Sequence, residues 1–344
     1  MSKLIENVAL CDLRNSLKPK KHVIYFPKER QYDLKSALSR LPSPHHHFDE
    51  FQTKAFRAVL SMIPEEIVRE LISFKNTPTS PGYLIIRGLP FDQDLPDTPP
   101  DGGRSKNKTT FISEGINVGV GTLLGEVFGY DSEKNGELIH NICPTQESAH
   151  VLSNESSEVD FKFHVDNSFF EFRPHVLGLF CLRPDRTAAA ATTLVEIKTA
   201  LKELTPFEVN LLRLPLFRLR TPRSFQKNFE VGAWTMPVPV IFGPAQSPEV
   251  RLSYNGVEAI TESARLVLEK LEKILQNDSV SLKWHSQPGD LILINNRKAL
   301  HGRTYFKARY DGQDRWLQRV YVHTDPWMSR HSQHEGVVFG WSKP

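Results

Sequence analysis

The amino-acid sequence predicts a mainly β protein with flanking helices, built on a closed or sandwiched β core. Three observations lead there: several short apolar or alternating segments that read as strands, one larger set of helical patterns around them, and no βαβ rhythm or internal repeat. The 344 residues carry 43 Lys+Arg against 40 Asp+Glu, a formal charge of +3 without a long basic block. Nucleic acid and anionic membranes therefore have no electrostatic footprint here, and a small anionic or zwitterionic ligand is the expected partner. At roughly 150 residues per domain the length suggests two domains, yet all-β barrels often pass ~200 residues as one. Met1–Leu10 lacks the basic start and apolar run of a secretory signal, and no apolar stretch reaches the ~18 residues of a membrane span, which predicts a cytoplasmic protein. Cys11, Cys143 and Cys181 are odd in number and widely spaced, which excludes a disulfide scaffold and a thiolate zinc site.

The N-terminal residues mix basic, polar and proline residues and end in Pro44-His45-His46-His47. Three adjacent histidines cannot all face one metal from a regular element, so this is a surface loop. From Asp49, the spacing of Phe51, Ala55, Phe56, Val59, Leu60 and Ile63 predicts a helix. Pro64 opens a second through Ile67, Val68, Leu71 and Ile72, because proline suits a first helical turn. Thr77–Gly82 is a turn cluster before the buried strand Tyr83–Ile86, and Pro96–Lys108 reads as an exposed loop. Val118–Phe128 reads as a short glycine-interrupted helix ending at Gly129.

Phe161-Lys162-Phe163-His164-Val165-Asp166 alternates strictly, so a strand there turns Lys162, His164 and Asp166 to one face. Apolar Val176–Leu182 and Thr192–Val195 follow, then two short helical patterns, the second with Thr205 as N-cap and Pro206 at the first helical position. Leu216–Arg251 is strand-poor and proline-rich, and reads as an insertion packed over something. A strongly amphipathic helix is predicted from about Val257 to Leu275. Alternation at Val280, Leu282 and Trp284, the turn Pro288-Gly289-Asp290, and strands Leu291–Ile294 and Leu317–His323 complete the chain.

His164 and Asp166 offer an imidazole nitrogen and a carboxylate oxygen to one cation, two of the three ligands of a 2-His-1-carboxylate facial set. Alone, such a pair is equally a hydrogen-bonded structural contact. The second informative block comes far downstream: Gly289–Arg297, then His301-Gly302-Arg303-Thr304, then Asp314–Val322. A turn, a strand, a histidine just past the strand end and an arginine on the next strand is how a metal-bound 2-oxo acid would be held. Arg315, Leu317 and Arg319 share one strand face. Two guanidiniums there repel unless anions meet them, and their planar forks suit carboxylates of a ligand or of the protein itself.

Together the two blocks resemble the clavaminate synthase-like branch of the Fe(II)- and 2-oxoglutarate-dependent oxygenases, whose wider superfamily includes taurine dioxygenase. The resemblance runs from about Gly125 to Asp325 and is strongest in His164-Val165-Asp166, Ala191-Thr192-Thr193-Leu194 and Gly289–Val322. It implies a single oxygenase domain over residues 1–344 with a double-stranded β-helix (jelly-roll) core; the helical patterns form an N-terminal flank over 1–110, and the long irregular segment 216–251 reads as a lid over the site. It implies that His164, Asp166 and His301 bind iron. Arg315 would hold the distal carboxylate of 2-oxoglutarate with help from the Thr193 hydroxyl. Arg319 would meet the substrate's carboxylate, Glu133 its amino group, and Asn154 another part of it.

Two departures shape the expected substrate. Many relatives carry His-x-Glu where this chain has the shorter Asp166. Relatives acting on arginine carry acidic residues ahead of the long helix, where this chain reads Ser253-Tyr254-Asn255-Gly256, so a guanidinium substrate is not implied. A carboxylate at 166 also argues against the halogenases of the superfamily, which carry a small residue there. The resemblance therefore implies hydroxylation, with O2, of an unactivated C–H bond in a free amino acid or close derivative, releasing succinate and CO2. Desaturation or ring closure would use the same residues. Two other classes fit the ligand types: a zinc-dependent hydrolase or cupin-like isomerase, which has no use for Arg315 and Thr193, and a binding module that has lost its metal.

Overall fold

The structure, a computed structural model, describes residues 22–338 apart from 152, 223, 226–231, 326, 328–332 and 335–336. Met1–Leu10, Cys11 and part of the 216–251 insertion lie outside the described residues. A short strand, Val23–Tyr25, leads into helices Lys28–Leu38, Phe48–Met62 and Glu65–Asn76. The first helix has no readable stripe because it buries only Leu34 and Leu38. The next two bury Phe51, Ala55 and Val59, and Ile67 and Leu71, as their spacing predicts; Phe74 is buried as well, whereas Leu60 and Ile72, also on the expected stripes, are exposed at their edges.

Helix Ile112–Leu124 starts earlier and stops sooner than expected, and Glu126–Tyr130 is a strand rather than its last turn. Both ends are set from a distance. At the start, Asp92 accepts the N–H groups of Ile112 (3.1 Å) and Ser113 (3.0 Å), supplying the cap the local sequence lacks. At the end, a Cβ on Gly125 would lie 2.1 Å from the His323 carbonyl oxygen, so only glycine lets the chain turn there. The loop before this helix is only partly solvated: Lys108 is buried between Asp92 (3.0 Å) and Glu114 (2.6 Å).

Two sheets form the centre. The larger has nine strands: Val23–Tyr25, Tyr83–Arg87, Leu291–Asn295, Val176–Arg183, Trp316–His323, Glu126–Tyr130, Val337–Val338 and Gln333–His334 in order, with Ile139–Ile142 also on Trp316–His323. The smaller is antiparallel, in the order Leu282–Trp284, Thr192–Glu196, Ala299–Arg303, Phe161–His164. Strand alternation divides the apolar residues. Leu84, Ile86, Leu291, Leu293, Trp316 and Val320 pack on the N-terminal helices. Ile85, Leu179, Ile292 and Ile294 face inward and share a cluster with Leu194 and Trp284 of the smaller sheet. The far side of that sheet, through Val195 and Leu300, is covered by Val267, Leu268 and Leu271 of helix Glu262–Gln276. Each such side chain stabilises the assembly by roughly 1.5–3 kcal/mol.

Helix Glu262–Gln276 begins later than the apolar pattern suggests. Val257–Ala259 is instead a strand paired with Phe217–Leu219, and Thr261 caps the helix by accepting the Ala264 N–H at 3.3 Å. The insertion is less strand-poor than expected, with Phe217–Leu219, Ile241–Phe242 and Glu249–Val250 in two small ladders. Strands of two or three residues are too short to show a period. Thr205 forms a full capping box with Glu208, and Pro206 follows at the first helical position. No helix among the described residues is long and apolar enough to cross a membrane.

Candidate metal centre

The strand Phe161–His164 and the strand Ala299–Arg303 are antiparallel neighbours, and their register sets His164 directly opposite His301. Residues so placed have Cβ atoms about 4.5–5.5 Å apart, so the two imidazoles meet, with ring centroids at 4.3 Å. His301 lies inside a strand rather than beyond one, paired on its other side with Leu194. Asp166 lies beyond the end of its strand. Asn296 holds it there by accepting the Asp166 N–H (2.8 Å) and donating to its carbonyl (2.9 Å). A second donor bond from Asn296 to the Pro174 carbonyl (2.9 Å) completes this clamp.

The side chains converge. His164 Nε2 lies 3.2 Å and His301 Nε2 3.3 Å from Asp166 Oδ1. Among the described residues, this is the group whose ligand atoms all lie within 4.8 Å of one another. The donor set fits a divalent transition metal: two imidazoles and one carboxylate, all buried. His164 Nδ1 is 2.8 Å from the Lys162 carbonyl oxygen, to which it donates, so the lone pair of Nε2 faces inward. Burial, with His164 alongside, pushes His301 down to about 4, so its ring is neutral and able to coordinate near neutral pH. Burial opposes ionisation of Asp166, but Arg319 and the two imidazoles hold its carboxyl well below the usual range.

Arg319 donates from Nη1 to Asp166 Oδ2 at 2.9 Å, which leaves Oδ1 toward the imidazoles. Its Nη2 donates to Glu133 Oε1 at 2.8 Å and to His140 Nδ1 at 2.7 Å. His140 Nε2 in turn donates to the Glu137 carbonyl at 2.8 Å, which fixes the tautomer, and burial beside Arg319 keeps this ring well below its ordinary pKa. Tyr321 donates to Glu133 Oε2 at 3.1 Å. The charge question posed by two nearby arginines thus has two answers. Arg319 is met by the protein's own carboxylates. Arg315, also buried, has one polar contact among the described residues, Nη2 to Thr192 Oγ1 at 3.4 Å.

Two adjoining cavities open on these groups. One of about 500 Å³ is bordered by Glu133, Asn154, His164, Asp166 and Arg319. A smaller one of about 60 Å³ is bordered by Thr192, His301, Arg315, Leu179 and Leu317, and also reaches His164, Asp166 and Arg319. Of the residues singled out in the sequence, only Thr193 is absent from both. Thr193 was expected beside Arg315, but it shares its strand face with Val195 on the helix-covered side, whereas Thr192 shares the inward face of Leu194. A one-residue shift along a strand reverses the face, and the pair Thr192-Thr193 gives no local sign of which is inward. Asn296, His140 and Tyr321 were not singled out at all. Asn296 had a usable signal, a second amide where an apolar strand ends; His140 and Tyr321 had none.

Residues 79–321 match the taurine catabolism dioxygenase TauD, TfdA family. The chain is 33% identical over 279 residues to L-asparagine oxygenase of Streptomyces coelicolor, covering 80% of this chain and 82% of that protein. It is 30% identical over 299 residues to clavaminate synthase 2 of Streptomyces clavuligerus, covering 85% and 88%. In three dimensions it is similar to a crystal structure of asparagine oxygenase in complex with Fe(II), 2S,3S-3-hydroxyasparagine and succinate, with a TM-score of 0.84 and 29% identity over 93% of this chain and 100% of that one.

Proposed function

Because this chain belongs to the taurine catabolism dioxygenase TauD, TfdA family, as a clavaminate synthase-like amino-acid hydroxylase using Fe(II) and 2-oxoglutarate, we propose that His164, Asp166 and His301 hold the iron and Arg315 the distal carboxylate of 2-oxoglutarate. The observation that carries this reading is the buried Arg315 with no carboxylate partner among the described residues, lining one cavity with the three metal donors. A zinc hydrolase would have no use for that cation. Bound together, Fe(II), 2-oxoglutarate and dioxygen supply the oxidation that hydroxylates an unactivated C–H bond and releases succinate and carbon dioxide.

The chain's own residues position the reactants. Arg319 fixes the orientation of the Asp166 carboxylate, and Glu133 and His140 fix Arg319. Arg319 borders both cavities, and its guanidinium is the cation there that a substrate carboxylate would approach. Glu133, which accepts from Arg319 and Tyr321, has lone pairs left for an ammonium group. Asn154, on the border of both cavities, contacts the substrate between them. We read the two facing sheets as a double-stranded β-helix, the chain as one catalytic domain flanked by the helices before residue 110, and the insertion at 216–251 as the cover of the larger cavity, supported by Arg220, Thr221 and Ser224 on its wall. Cys143 and Cys181 are buried thiols outside any disulfide among the described residues, which accords with a cytoplasmic enzyme.

Anaerobic reconstitution with Fe(II) and 2-oxoglutarate, followed by exposure to air with each of the common amino acids, is expected to give succinate release stimulated by a small subset. Succinate release that no amino acid stimulates above the unprimed rate would sink the amino-acid reading. The face assignment has its own test. Thr192→Val removes a hydroxyl worth about 1 kcal/mol and should raise the KM for 2-oxoglutarate roughly fivefold, while Thr193→Val should change it less than about twofold. The opposite pattern would restore Thr193 to the site.

A further inference from the structure

We infer that the substrate is an α-amino acid whose side chain ends in a carboxylate, met by Arg220 on the wall of the larger cavity; this rests on the amino-acid hydroxylase reading above. Besides His164, the cavity is lined by four ionisable acids and bases of fixed charge, Glu133, Asp166, Arg319 and Arg220. Glu133 and Asp166 are both engaged by Arg319. Arg220 pairs with no carboxylate among the described residues and is the one cation of this lining left without a counter-charge there. The nearby wall contributes only neutral groups, Ser224, Ser253 and Asn255.

Arg220 is exposed where it borders the cavity, and its backbone is fixed by its neighbours. Its backbone N–H donates to the Gly256 carbonyl at 2.9 Å, it forms a bridge with Trp234, and its guanidinium lies over the Trp234 ring at 5.9 Å. Glycines flank the side chain: a Cβ on Gly232 would lie 3.0 Å from Nη2, and one on Gly256 3.0 Å from the Arg220 Cβ. The wall between the metal donors and Arg220 is continuous. Ser253 bridges directly to His164, and the Gly256 N–H donates to the Ser253 carbonyl at 3.0 Å, closing a turn. The ends of such a turn lie within about 7 Å, so the wall leads in one turn from the metal-donor strand to the residue paired with Arg220. An amino acid with its α-groups at Glu133 and Arg319 would extend its side chain along this wall toward Arg220. An arginine fork recognises a carboxylate there, repels an ammonium, and gains little from an amide.

Equilibrium binding of radiolabelled L-aspartate, L-asparagine, L-glutamate, L-glutamine and L-lysine to the anaerobic enzyme loaded with Fe(II) and 2-oxoglutarate tests this. At least one acid is expected to bind about tenfold or more tightly than its own amide, with lysine weakest, a ratio equivalent to about 1.4 kcal/mol. Arg220→Gln should erase the preference of acid over amide, and Arg220→Glu should move it toward lysine. Amides that bind as tightly as the acids, or an Arg220→Gln variant that weakens acid and amide equally, would overturn the assignment while leaving the amino-acid reading intact. Binding by none of the five, with 2-oxoglutarate still bound, would overturn the Arg220 assignment, and the amino-acid reading would be decided by the succinate screen above.

Discussion

Asp166→Asn is expected to leave a folded protein that no longer retains iron. The amide keeps the shape of the side chain and can still accept from Arg319, so the clamp by Asn296 on the backbone is undisturbed. It removes the one anionic ligand of the set, and a loss of about 4 kcal/mol of metal affinity corresponds to roughly a thousandfold. Anaerobic titration with Fe(II), together with a thermal melt of the metal-free protein, separates ligation from folding. A variant that binds iron like the native chain would remove Asp166 from the metal site. Asp166→Ala is the harsher change. It also strips Arg319 of one of its two carboxylates and leaves a buried guanidinium short of charge, so the metal-free fold itself should lose stability.

Arg315→Leu should separate function from stability. Arg315 is a buried guanidinium with a single weak polar contact among the described residues, at 3.4 Å, and burial lowers its pKa from the ordinary arginine value. Its surroundings include Ile142, Leu179 and Leu317, which accept a leucine. Exchanging a desolvated cation for an apolar side chain of suitable size is expected to raise the stability of the ligand-free protein by about 1–2 kcal/mol. The same change deletes the anchor for the 2-oxoglutarate carboxylate. Losing a buried charged pair of this kind costs about 2–5 kcal/mol, so the KM for 2-oxoglutarate should rise about thirtyfold or more and turnover should collapse. Calorimetry of the ligand-free variant and initial rates against 2-oxoglutarate concentration measure the two effects. Normal 2-oxoglutarate kinetics would return Arg315 to a purely structural role and reopen the hydrolase reading.

Much of this protein was legible one segment at a time. The helical spacing from Phe51 to Ile72, the cap at Thr205, the turn at Gly289 and the strands at Tyr83, Leu291 and Leu317 all depend on contacts within a few residues. The family resemblance in His164-Val165-Asp166 and in Gly289–Val322 was readable for the same reason, because the residue types and their order survive in the linear chain. Elements whose ends are set by distant partners were misjudged. Asp92 starts the helix at Ile112, the close approach of His323 ends it at Gly125, and pairing with Phe217–Leu219 turns Val257–Ala259 from helix into strand.

The sequence by itself determined which side chains are available: two imidazoles, a short carboxylate and two arginines in a fixed order, within strands whose twofold period gives each residue one face or the other. Only the tertiary structure decided how those donors meet. The register that sets His164 against His301, the grip of Asn296 on Asp166, the inward turn of Thr192 in place of Thr193, and the division of Arg319 and Arg315 into a paired and an unpaired cation all come from pairings between segments far apart in the chain. Local periodicity states that a residue has a face. It carries no term for what lies opposite, and coordination and charge balance depend on that.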